Sequence, residues 1–530
     1  MLNSNNFNAN TIVFAVVLAL GLALAVVAGD SLASGQYAYI AIAVLLFVGM
    51  PLGLKLGMNF WILITLTMTA NGRLGFLPLP FTFHELCTIA AAMLFILHVV
   101  LRRVAFKVPL HLPDILILLN VAWLAVTFVK NPTGLSFLGS DTVGGRKYID
   151  MGFAFVGYFI LSRSRIPHKW AYLLPVWLAI GLATPYALQS VASVSPQLGE
   201  AISRVYGVHV QSADTQAGMV SEGRIAGFER TALPLFLAMC AYYAPVTFLN
   251  PLHPFRALAF LLSFILVGLA GYRSFMLAIP GYMAVSTWLR GRLRDFLPLA
   301  AGGLLCIMAL AGAVQTGAPV PATVQRALSV LPLGWDAVAA QDAEGTTTWR
   351  LDMWRDAWND PNYFKDKIFG DGFGFTQQEL ILFANQMIGQ QGLIGAASYE
   401  MFIIRGSLHN GPLSSIRYGG FVGLILLTAL MIWTAIYAVK VVKAGAGTVY
   451  APIAFFIAIP LIYEPFAFFA IFGAYDQHMS QYFFGLGMLN LINRSLPHPV
   501  GAALQSRTQS TSPPAAIPSS AIPFPAAHLR

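Results

Sequence analysis

Charge is what this 530-residue chain has least of: only 10% of its residues are Asp, Glu, Lys or Arg, whereas 57% are hydrophobic and the mean hydropathy is +0.69. A soluble domain carries roughly a quarter charged residues, so the scarcity excludes an ordinary water-borne fold and indicates a polytopic membrane protein. Cysteine is scarce as well. Cys87, Cys240 and Cys306 all lie in apolar segments, without the spacing of a metal pair or a disulfide framework, and read as core packing. The glycine-rich stretch at 370–374 lacks the strand and lysine of a nucleotide loop and reads as a turn. His84-Glu85 lacks the second histidine that a zinc-binding helix needs four residues on, where Thr88 stands, and Glu85 reads as a partner of the helix dipole. No nucleotide, metal or haem cofactor is expected. The net charge of +9 does not indicate nucleic acid, because the Lys and Arg residues are scattered at the ends of apolar runs.

Long apolar runs are abundant. A helix crossing the hydrocarbon core needs roughly 17 to 25 residues, and runs suited to this fall near 11–29, 37–54, 57–71, 83–101, 111–129, 147–163, 170–190, 225–248, 255–271, 274–290, 296–315, 418–440, 450–474 and 479–493. The third and last are short enough to be half-spans. The expectation is an all-α polytopic membrane protein with about 12–14 transmembrane helices. The first run has no basic stretch before it and reads as a span, not a cleaved signal. Four basic clusters, at Arg102, Arg103 and Lys107, at Arg163, Arg165 and Lys169, at Arg290, Arg292 and Arg294, and at Lys440 and Lys443, share one side when the spans alternate. The positive-inside rule makes that side the cytoplasm and places both termini there.

The chain divides into a bundle over 1–314, a large outward loop over 315–417, further spans over 418–494 and a Pro-, Ser- and Ala-rich tail over 495–530 that reads as disordered. A loop this long is usually functional or a small domain in its own right. Within it, 346–358 has Trp and Leu at helical spacing, 368–375 is a glycine turn, and 375–388 is amphipathic and suited to lying on a membrane.

Arg224, just before a span, and Arg273, in a tight turn, both face outward against the positive-inside bias. Snorkelling, or pairing with Glu222 or Glu229, is one explanation. The other is an anion clamp, because two forks of fixed N–H donors match phosphate oxygens, and Arg146 and Lys147 add charge on the same side. His409, in "LHNGP", is either a turn or cap residue or a general base, since an ordinary imidazole pKa of about 6.5 suits proton removal near neutrality. A base beside a phosphate clamp points to transfer from a phosphate leaving group.

Three blocks carry a family resemblance: "GRIAGFERTALPLFLAMCAYY" from Gly223, "GYRSFMLAIPGYMAV" from Gly271, and "TWRLDMWRDAWNDPNYFKDKIFGDGFGF" followed by "LHNGPLSSIRYGGFVGLILL". They resemble the O-antigen ligase and polymerase superfamily, whose pattern is matched here at Arg350, Trp354, Gly370, Gly372, His409, Asn410, Leu413, Gly420 and Gly423. Glu229-Arg230-Thr231 departs from the Asn-Pro-Asn-like turn of that family, and the stretch between Gly374 and His409 is irregular. The resemblance implies a GT-C-like, metal-independent glycosyltransferase in the bacterial inner membrane. Its donor is an undecaprenyl-pyrophosphate-linked glycan, and its acceptor is a hydroxyl of lipid A core or of another glycan, lipid or protein. With the residue reading above, it gives catalytic roles to His409, Arg224 and Arg273 and substrate-binding roles to Arg350, Trp354, Asn410, Arg146 and Lys147. A repeat-unit polymerase is the near alternative. A lipid-linked oligosaccharide flippase is the distant one, and would place ionisable groups near the membrane midplane.

Overall fold

The computed structural model describes residues 58–74, 81–101, 112–134, 142–207, 227–250, 252–329, 331, 333–361, 363–376, 403, 408–497 and 500. The apolar runs in this range become helices α1 (Met58–Leu66), α2 (Phe83–Val100), α3 (Leu112–Lys130), α4 (Gly145–Leu161) and α5 (Leu174–Val194), then, after the short polar helix α6 (Pro196–Val205), α7 (Phe228–Tyr242), α8 (Pro254–Ala270), α9 (Arg273–Leu289) and α10 (Phe296–Gln315). After these come α11 (Ala322–Leu328), α12 (Ala337–Asn359), α13 (Gly411–Gly445), α14 (Ala451–Ala470) and α15 (Tyr475–Ser495). Four two-residue strands tie loops together, β1 (Arg73–Leu74) pairing antiparallel with β3 (Tyr206–Gly207) and β2 (Thr142–Val143) with β4 (Phe375–Thr376). The spans expected at 11–29 and 37–54, Arg224, most of the amphipathic 375–388 segment and most of the tail lie outside the described residues.

The chain is an all-α polytopic membrane protein. Among the described residues, 6 helical segments are long and apolar enough to cross a bilayer. Their surroundings agree. α10 buries only Ala311, and its Leu297 and Leu305 are 67% and 65% exposed, while α8 exposes Leu258, Leu261, Leu262 and Ile265. Water would penalise such continuous apolar faces, whereas lipid solvates them. The interior lies chiefly among α4, α7, α13, α14 and α15, where Phe236, Phe468, Tyr475, Tyr482 and Phe483 are fully buried.

Two boundaries differ from expectation. The last helix is longer than its apolar run: α15 has 21 residues, because its polar first turns find partners. The Tyr475 amide donates to Ser414 Oγ at 3.1 Å, and His478 Nε2 lies 3.3 Å from Glu464 Oε2. α13 begins at Gly411 instead of 418. Asn410 caps it, Oδ1 accepting from the Leu413 amide at 3.0 Å, and Pro412 occupies the first turn, where a missing N–H costs nothing.

At 35 residues α13 would run about 50 Å at 1.5 Å per residue, well beyond a hydrocarbon core of about 30 Å. Gly420 (φ 67°, ψ −176°) breaks it near the expected span entry. The glycine turn is stitched into this break: the amides of Asp371 and Gly372 donate to the carbonyls of Arg417 and Tyr418 at 3.0 Å each, and those of Phe421 and Val422 to Lys367 and Ile368 at 2.9 and 3.3 Å. A Cβ on Gly420 would lie 2.1 Å from the Ile368 carbonyl oxygen, so only glycine fits. Asp371 locks the turn by pairing with Arg417 at 2.6 Å and accepting from the Lys365 and Asp366 amides at 3.0 and 2.9 Å. Trp123 Nε1, on α3, donates to the Gly419 carbonyl at 2.7 Å and anchors this end of the bundle.

Candidate active site

The site is built where α12 meets the start of α13. Met353 and Ala357 of α12 are fully buried with Phe364, Ile403, Leu408 and Ile416 in a small core separate from that of the bundle, and Trp349, Trp354 and Trp358 pack against it. The i, i+4 spacing of Trp349, Met353 and Ala357, and of Trp354 and Trp358, gives α12 one apolar face, which docks it on the chain entering α13. Trp354 Nε1 donates to the Leu408 carbonyl at 2.6 Å and so fixes the residue before His409. Arg350 lies one turn earlier on α12. Close by, Thr347 Oγ1 accepts from Arg273 Nη2 at 3.3 Å. Arg273 is the first residue of α9, delivered there by Gly271, whose φ of 72° ends α8 in a left-handed cap. Residues 273, 350 and 409, distant in sequence, thus meet at one end of the bundle.

The electrostatics of this meeting are unusual. Burial, with the like charge of Arg273, pushes the Arg350 guanidinium below its ordinary pKa. Burial, with the Arg350 charge beside it, pushes the His409 imidazolium down to about 4, so the ring is neutral at pH 7. Arg350 Nε is buried and has no hydrogen-bond partner among the described residues. His409 is the only non-glycine residue described with positive φ, 53°, and its ring lies 5.2 Å from that of Phe472. A left-handed conformation costs a non-glycine residue roughly 1–2 kcal/mol, and such strain collects at functional sites. Two repelling guanidiniums beside a neutral imidazole can take an anion with two or more oxygens. Such an anion would cancel the repulsion and raise the basicity of His409.

The remaining sequence candidates are placed differently. The Asn410 side chain is committed to capping α13. Arg146 pairs with Glu85 and, at 3.1 Å, with Asp150. Lys147 reaches the Tyr418 hydroxyl at 2.8 Å and Asp476 at 3.4 Å, over the Tyr418 ring. Both cations therefore belong to a neighbouring group of carboxylates. Sequence reasoning passed over Arg230, whose Nη1 donates to the Tyr186 hydroxyl at 3.0 Å and whose guanidinium lies 5.9 Å from the Phe275 ring, in the first turn of α9. It also passed over the Asp371–Arg417 pair. The signal for that pair was an acidic residue between two glycines in a chain with few charges. No family model, no curated protein and no solved structure matches this chain.

Proposed function

We propose that this chain is a membrane glycosyltransferase of the GT-C type that moves a glycan from a polyprenyl pyrophosphate to an acceptor hydroxyl, as O-antigen ligases do. The carrying observation is the convergence of Arg273, Arg350 and His409, with Arg350 Nε buried and unpaired among the described residues. Arg273 and Arg350 hold the pyrophosphate and stabilise the charge that grows on it as the anomeric C–O bond breaks; fixed donors of this kind contribute about 10²–10³ in rate each. The electron pair of the broken bond stays on the phosphate oxygen. The acceptor oxygen attacks the anomeric carbon, and its proton passes to His409, with inversion. Arg224, which lies outside the described residues, is a further candidate for the clamp by its outward position in the sequence alone, and Trp354 holds α12 to the site through the Leu408 carbonyl.

The basic clusters at Arg290–Arg294 and Lys440–Lys443 lie at the far ends of α9 and α13 from the site. With the positive-inside rule, this supports a site on the periplasmic face of the bacterial inner membrane, where a lipid-borne donor would present its glycan. The test is the length distribution of lipid-linked and acceptor-linked glycans in a null strain restored with wild type or His409→Ala at equal membrane levels. Long lipid-linked chains that fail to reach an acceptor identify a ligase. Single repeats that are still transferred identify a polymerase. Full rescue by His409→Ala removes the catalytic assignment.

A further inference from the structure

A cavity of about 590 Å³ lies among α1, α2, α4, α5, α7, α14 and α15, and neither Arg273, Arg350 nor His409 lines it. Its wall changes character along the bundle. Where α2, α4 and α15 begin it carries Glu85, Lys147, Asp150 and Asp476; deeper in, Leu182, Leu237, Phe456, Ile457 and Phe484 make it apolar. Glu85 is only 3% exposed. Its Oε2 accepts from the Thr82 amide at 2.7 Å and from Arg146, but Oε1 is buried with no hydrogen-bond partner among the described residues. A buried carboxylate oxygen without a donor is costly and marks a place where a ligand donor fits.

The charge balance says which ligand. Three carboxylates share the wall with one lysine, and both nearby cations are already paired with them, Arg146 with Glu85 and Asp150 and Lys147 with Asp476, so none is left over for a phosphate. A phosphate head is therefore disfavoured, and hydroxyl donors are favoured. The volume falls within the roughly 300–1,000 Å³ range of small-molecule sites, and the apolar depth takes a hydrocarbon chain.

We propose that this cavity is a second binding site, for a membrane amphiphile with an uncharged, hydroxyl-bearing head such as a glycosyl group. The hydroxyls donate to Glu85, Asp150 and Asp476, and a single apolar chain lies between α5, α7 and α14. The head then sits beside the cationic site, not in it: Asp476 follows closely on Phe472, the ring against His409, and Lys147 joins Asp476 to Tyr418 of α13. The binding claim does not depend on transfer chemistry.

The experiment uses the full-length protein in nanodiscs of phosphatidylethanolamine and phosphatidylglycerol, with a dodecyl glucoside carrying a photoreactive diazirine in its chain as probe. Saturable labelling within α5, α7 or α14 is expected, with competition by dodecyl maltoside and not by dodecyl phosphate. Asp150→Asn and Asp476→Asn weaken labelling at least fivefold, and Leu233→Trp, which fills the path of the chain, abolishes it at an unchanged unfolding temperature. Equal competition by dodecyl phosphate, or labelling confined to the lipid-facing α8 and α10, overturns the proposal. If Leu233→Trp does not fold, head-group competition and the labelled positions decide the matter by themselves.

Discussion

Replacing Gly420 with alanine perturbs the joint that holds the candidate site on the bundle. At φ 67° and ψ −176° the residue occupies a region essentially reserved for glycine, costing any other about 1–3 kcal/mol. The new Cβ also meets the Ile368 carbonyl oxygen at 2.1 Å, and that carbonyl accepts from Val422, so the clash is relieved only by pulling the turn away from α13. Each stitch across the break contributes about 1 kcal/mol. Losing the one nearest the clash, from Val422 to Ile368, together with about 2 kcal/mol of strain lowers the local opening free energy by roughly 3 kcal/mol, which makes amide exchange on the order of 100-fold faster. Hydrogen exchange read by mass spectrometry should show this at Asp371, Gly372, Phe421 and Val422, with α14 unchanged. Lys367 Nζ donates to the Trp358 carbonyl at 2.8 Å, so the turn also steadies α12, and transfer activity should fall with the protection. Exchange at those four amides within twofold of wild type would refute the idea that the break is the anchor.

Arg350→Ala removes the charge that, after burial, most disfavours the imidazolium, so the His409 pKa should rise from about 4 toward its ordinary value in an NMR titration of labelled histidine. Because the folded pKa is depressed, neutral His409 contributes stability that is full above pH of about 6.5 and lost as pH falls through about 4. The drop in unfolding temperature over that window should be shallower in the variant. His409→Gly relieves the left-handed strain, and should raise stability by about 1 kcal/mol while abolishing transfer, as read by thermal unfolding and glycan analysis of the same preparation. Asp371→Asn leaves the Arg417 guanidinium buried without its counter-ion, and should cost about 3–5 kcal/mol in denaturant unfolding.

The candidate membrane helices were legible because each is a mostly uncharged run with polar ends: α2, α3 and α10 begin and end within a residue or so of the expected positions. The last helix was read too short because Tyr475, Asp476 and His478 are polar in sequence and find their partners in Ser414, Lys147 and Glu464 from other parts of the chain. Arg273 stood out as an outward-facing cation, Arg350 through the family resemblance, and His409 as a candidate base. That they meet is a property of how α12 docks: its own spacing marks an apolar face, but not that Leu408 and Ile416 receive it. Arg146 and Lys147 share that side of the membrane in the sequence reading, yet their carboxylate partners lie on α2 and α15 and draw them toward a different cavity. The break at Gly420 could not be seen in an apolar run, because backbone geometry leaves hydropathy unchanged.

The most direct test of the central claim is turnover of the purified protein in proteoliposomes that contain a polyprenyl-pyrophosphate-linked oligosaccharide and a glycolipid acceptor. Released polyprenyl pyrophosphate and extended acceptor would be measured together for wild type, Arg273→Gln, Arg350→Gln and His409→Asn. Wild type should produce the two in equal amounts, and each arginine variant and His409→Asn should be at least about 10²-fold slower. Equal rates in all four proteins, or no pyrophosphate release by wild type, would contradict the assignment.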